Sequence, residues 1–162
     1  MTRILVAVDG SAQSERAVEY VGALLREAPG VQVVLFHVLK PLPRELLEHG
    51  GSENPQMEDS LSKKLRTQQE EWIETERARE YPILAQALEV LGKTGFPVDR
   101  ATLQFGHEED VVRNILEEAG AANCSTIVVG RHRNPGTKRL FGKDTVDRLL
   151  GEAKGFTVWV VE

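Results

Sequence analysis

The 162-residue sequence has only one cysteine, Cys124. A lone cysteine allows no internal disulfide and no cysteine pair for a metal. It lies in an apolar stretch and reads as a small core residue. Long apolar runs are missing too, since nothing approaches the ~20 residues of a membrane span. The opening MTRILVAVDGS turns polar too early for a signal peptide, so a reducing cytoplasm is expected. Positive charge is not in excess: the net charge is -5. That excludes a protein built to grip nucleic acid over a broad face. Neither nucleic acid nor membrane is expected as a partner. There is no internal repeat and no linker rich enough to divide the chain, so residues 1–162 are expected to form one domain.

What is present alternates between two patterns. Arg3–Val8, Val31–Leu39, Val98–Phe105, Ser125–Val129 and Phe156–Val161 are short apolar runs with strand character. Between them lie stretches of helical periodicity. Ala17, Val18, Val21, Leu24 and Leu25 share one stripe, with Ser11 or Ser14 able to cap it. Leu84, Ala87, Leu88 and Leu91 form a second apolar face, and Pro82 is expected to kink or restart that helix. Val111, Val112, Ile115 and Leu116 form a third, and Val146, Leu149 and Leu150 a fourth. Strands alternating with helices predict an α/β fold with a five-stranded parallel sheet, order 3-2-1-4-5, and helices on both faces. The polar segment near 52–80 exceeds what such a fold needs. It reads as a solvated helical insertion, with a cover for the crevice or a partner surface as the other roles open to it.

In an open parallel sheet, ligands bind past the carboxyl ends of the strands where the strand order reverses. Here that point lies between strands 1 and 4, and the residues just beyond them are Asp9-Gly10-Ser11 and Gly130 onward. Asp9 can accept hydrogen bonds from an amino group or a ribose hydroxyl, or it can simply form the turn before Gly10. The stretch VVGRHRNPGTKRLFGKDTV, 128–146, holds five cations: Arg131, Arg133, Lys138, Arg139 and Lys143. They can draw in an anion, or form only a solvated basic loop. His132 has no metal partner at ligand spacing and reads as a surface-loop histidine.

Five pieces, in order, resemble the universal stress protein family. ILVAVDGS is similar to its opening strand and turn, and VVLFHVLKP to its second strand. GHEEDVVRNILEEAGAANCSTIVVGRH is similar to its third helix and fourth strand, and GFTVWVVE to its closing strand. The resemblance implies the Rossmann-like fold inferred above and a family with nucleotide-binding and non-binding branches. Binders carry Gly-x2-Gly-x9-Gly-(Ser/Thr) after strand 4, whose amides and hydroxyl hold phosphates. By position, the resemblance implies that Asp9 and Val38 hold the base, with Gly130 and Gly142 in the phosphate loop.

Three departures mark that loop. Arg133 stands where the second glycine belongs, eight residues rather than nine separate it from Gly142, and Lys143 replaces the hydroxyl. Arg133 and Lys143 can substitute side-chain charge for backbone amides. Asp144 or Thr145 is expected to cap the last helix, and a carboxylate there opposes a phosphate.

The expected function is therefore a non-enzymatic stress-response protein that binds an adenine nucleotide, ATP or AMP, with Mg2+ accompanying ATP. The alternative is a family member without nucleotide that acts through protein contacts. An enzyme of the same broad fold has no Ser-Gly-Gly loop after strand 1 and no general-base constellation to support it. The last strand carries no Pro or Lys to blunt its edge. Family members commonly dimerise through this strand, so a homodimer is expected.

Overall fold

The computed structural model describes residues 1–47, 54–107, 109–132 and 142–162. Five strands, β1 (Thr2–Ala7), β2 (Val31–Val38), β3 (Ala101–Gly106), β4 (Thr126–Gly130) and β5 (Thr157–Val161), form one sheet. All four pairings are parallel and the order is β3-β2-β1-β4-β5, as the alternating pattern predicts. Four helices connect them: α1 (Ala12–Leu25), α2 (Pro55–Lys93), α3 (Val111–Ala121) and α4 (Lys143–Glu152).

Successive side chains of a strand point to opposite faces, so each central strand feeds two cores. Ile4, Val6, Val8, Val33, Leu35 and Val128 pack against Ala17, Val18 and Val21 of α1 and Leu84, Ala87 and Leu91 of α2. Leu5, Ala7, Val34, Phe36, Ile127 and Val129 pack on the other face against α3 and α4. The chain moves outward from β1 to β3, then crosses back to β4. That reversal sends α3 and α4 to the face opposite α1 and α2, and it opens the crevice between β1 and β4. Cys124 is a buried member of the second core.

Helix α2 differs from expectation. It runs unbroken through Pro82 for 39 residues, about 58 Å. Proline removes one helical hydrogen bond and costs on the order of 3 kcal/mol. Burial of Leu84, Ala87 and Leu91 just beyond it offsets that cost. Only this carboxyl portion docks on the sheet. Because α2 must return antiparallel to the strands to reach β3, its polar amino half projects past the carboxyl edge.

Three boundaries also move. Val98–Arg100 form a 3-10 turn ahead of β3 rather than its first residues. Helix α3 starts at Val111, with the Asp110 side chain capping the Arg113 amide at 3.2 Å. Helix α4 is capped by Gly142, not by Asp144 or Thr145; Asp144 lies inside its first turn. No described helix is long and apolar enough to cross a membrane.

Candidate functional site

The site is set by how β1 ends. Val8 continues the sheet by donating its amide to Phe36 O at 2.8 Å. The chain then turns at Gly10, whose φ of +78° suits a residue without a Cβ. Ser11 caps α1, its hydroxyl accepting from the Ser14 amide at 3.1 Å. The Ser14 hydroxyl donates to Ser11 O at 3.1 Å and accepts from the Asp9 amide at 3.3 Å. Asp9 is thus held in a closed turn before its carboxylate makes any longer-range contact.

Both oxygens of that carboxylate accept hydrogen bonds. Oδ1 accepts from the Ser11 amide at 2.9 Å. Oδ2 lies 3.1 Å from Nε2 of His132, two residues past β4. The side chains are 2% and 4% exposed, Asp9 and His132 respectively. Burial pushes the Asp9 carboxyl up, but the Ser11 hydrogen bonds and His132 together outweigh it and hold the group below its ordinary value. Asp9 is therefore an ionised acceptor, and His132 supplies the proton on Nε2. The turn-forming role expected for this aspartate is present, and its carboxylate also pairs with His132 across the strand reversal.

His132 is the residue that sequence reasoning missed. It is buried and bridges the switch point, rather than sitting on a surface loop. The available signal was its place: it follows Gly130, directly across the strand reversal from Asp9.

Gly130 is glycine for a packing reason. A Cβ there would come within 2.4 Å of the Gln13 carbonyl oxygen and 3.0 Å of the Ser14 amide nitrogen. The first turn of α1 presses directly on the end of β4, and no side chain fits between them. Val38, at the end of β2, is buried and paired with Gly106 of β3. The β1–β2 register pairs Ala7 with Phe36, and its continuation sets Asp9 level with Val38. The fold therefore brings Asp9, Val38 and Gly130 to one edge.

The cationic loop is another matter. Arg133, Lys138 and Arg139 lie outside the described residues. Arg131 donates its amide to Val161 O at 2.8 Å, and its guanidinium pairs with Glu162. Its charge is turned toward the chain's last residue. A Cβ added at Gly142 would meet nothing within 4 Å among the described residues, and Lys143 is the exposed first residue of α4.

A second buried histidine ties α2 to the same edge. His37 Nδ1 is 2.8 Å from Val8 O, so Nδ1 donates. Its Nε2 is 3.1 Å from Glu80 Oε2. Next to this clasp a cavity of about 200 Å³ opens between Gly10, Ser14 and Glu15 on one side and Pro82, Ile83 and Gln86 on the other. Among the described residues no group of three metal-ligating side chains converges.

Solved structures with this architecture include a universal stress protein in complex with cAMP, 18% identical, covering 99% of this chain and 96% of that one at a TM-score of 0.63. A universal stress protein from Archaeoglobus fulgidus is 18% identical over 100% and 94% of the two chains, also at 0.63. The protein UspA from Lactobacillus plantarum is 17% identical over 99% and 97%, at 0.62. At such identities the likeness establishes the fold. No curated protein matches in sequence. The universal stress protein family itself matches over residues 1–162. The chain belongs to the universal stress protein family.

Proposed function

We propose that the protein binds an adenine nucleotide, ATP or AMP, at the carboxyl edge between β1 and β4, and acts in stress response without a catalytic step of its own. The observation that carries this reading is Asp9. It is an ionised acceptor placed at the strand reversal, level with Val38 and facing the end of β4. Such a carboxylate suits the hydroxyl and amino donors of a nucleoside. A fold neighbour solved in complex with cAMP supports adenine as the class of base. A role without a catalytic step is supported by Ser14, whose hydroxyl beside the Asp9 amide donates to Ser11 O rather than to His132.

A second reading has its own observation. Asp9 already has donors in Ser11 and His132, and Asp144 sets a carboxylate in the first turn of α4, where a phosphate would prefer to sit. A member acting through protein contacts without nucleotide fits those two facts.

Thermal unfolding separates the two readings. ATP, ADP, AMP and cAMP are each added, with tripolyphosphate as a polyanion without a base. Nucleotide binding predicts a shift with at least one adenine nucleotide and none with tripolyphosphate. Equal shifts, or no shift, leave the protein-contact reading standing.

A further inference from the structure

We infer that His132 is a gate on the nucleotide site, closing over Asp9 in the free protein and leaving it when nucleotide binds. The inference rests on the nucleotide reading above and adds the residue that controls access.

The argument starts from accessibility. A ligand can use Asp9 only if a donor reaches its carboxylate. Oδ1 is taken by the Ser11 amide at 2.9 Å, a bond made within the turn that positions the residue. Oδ2 is taken by His132 at 3.1 Å, a contact made across 123 residues of sequence. With the Asp9 side chain 2% exposed, its carboxylate is closed to a ligand in this state, and the imidazole is the donor that holds Oδ2. The Ser11 bond is local to the turn that leads into α1. The His132 bond joins side chain to side chain across the strand reversal, and it is the one that a ligand's donor replaces.

The geometry around His132 favours movement of the ring over movement of the strand. Gly130 pairs with Val161, and Arg131 donates its amide to Val161 O at 2.8 Å. Gly130 is also wedged against the first turn of α1. The backbone leading to His132 is therefore held by β5 on one side and α1 on the other, so the opening is assigned to rotation about the side-chain bonds of His132. In the closed state the imidazole supplies the hydrogen bond that the nucleoside supplies in the open state. Neither state leaves a buried carboxylate without a donor. Binding in the wild type must break the His132 contact, so the measured affinity is reduced by the fraction of molecules that are closed.

This predicts opposite signs for two measurements on one variant. Removing the ring with His132→Ala raises ATP affinity by roughly tenfold, because the closed state is lost. The same change lowers the unfolding temperature, because Asp9 loses a buried partner. A residue that only supports the fold would lower both. His132→Gln, which keeps a donor, stays within about twofold of wild-type affinity. Calorimetric titration of ATP into the full-length wild type and both variants reads the affinities.

The ring-nitrogen NMR signal of His132 in the wild type gives a second readout that does not depend on any variant folding. Saturating ATP shifts it away from its carboxylate-bonded value. An unmoved signal on saturation, or an affinity in His132→Ala equal to or below wild type, overturns the gate while leaving nucleotide binding intact. Failure of ATP to bind both the wild type and His132→Ala overturns the gate and the nucleotide reading together.

Discussion

At Gly130 a missing side chain sets the packing around Asp9. The missing side chain at Gly130 lets α1 start against β4, and this brings Asp9 under His132. Gly130→Ala would force the Gln13 carbonyl aside and is expected to cost about 1–3 kcal/mol in denaturant unfolding. Asp9 also makes a pH prediction. Its carboxyl is more acidic folded than unfolded, so the stability it contributes is full above the unfolded value near ~4 and is lost as pH falls through the folded value. Asp9→Asn should therefore be less stable than wild type at neutral pH, and the difference should shrink in acid. A gap that stays constant from neutral pH to about pH 2 would refute the depressed carboxyl. Asp9 was legible in the sequence because a carboxylate after an apolar strand and before Gly-Ser has few roles. His132 was not, because burial of a histidine in a basic stretch depends on what lies across the sheet. Arg133, on which the side-chain clamp depended, lies outside the described residues.

Helix periodicity located the four described α-helices, but not how far each would run. Pro82 does not end α2, because the apolar face beyond it is docked and the polar half ahead of it is long enough to stay helical. Local propensity said stop and tertiary packing overrode it. The two halves should differ in stability. Residues 57–75 contain no buried side chain, whereas Leu84, Ala87 and Leu91 sit in the core. Amide hydrogen exchange should be fast over 57–75 and slow over 84–91, and uniform protection along α2 would contradict this account. The boundary falls near Glu80, where the His37 contact pins the helix to the end of β2. The cap of α4 was misplaced for a related reason. Asp144 and Thr145 are good capping residues, yet the chain enters the helix at Gly142, and where it enters depends on the path before it.

At the scale of the whole molecule, strand order was the most legible property. Apolar strands alternating with helices leave few right-handed arrangements, and the observed order is the common one. The expected dimer is argued from the β5 edge of the sheet. β5 is the last strand of the sheet, and Val158, Trp159, Val160 and Val161 are each only partly covered. A partner strand along this edge would bury them and satisfy its free backbone groups. Light scattering behind size exclusion should give a dimer for the wild type and a monomer for Val160→Lys; a monomeric wild type at high concentration would count against the edge. The central claim is that the switch point between β1 and β4 holds an adenine nucleotide through Asp9. Calorimetric titration of ATP into wild type and Asp9→Ala tests it most directly. The account predicts saturable binding of one nucleotide per chain in the wild type and its loss in a folded Asp9→Ala; no binding by the wild type, or undiminished affinity in the variant, would contradict it.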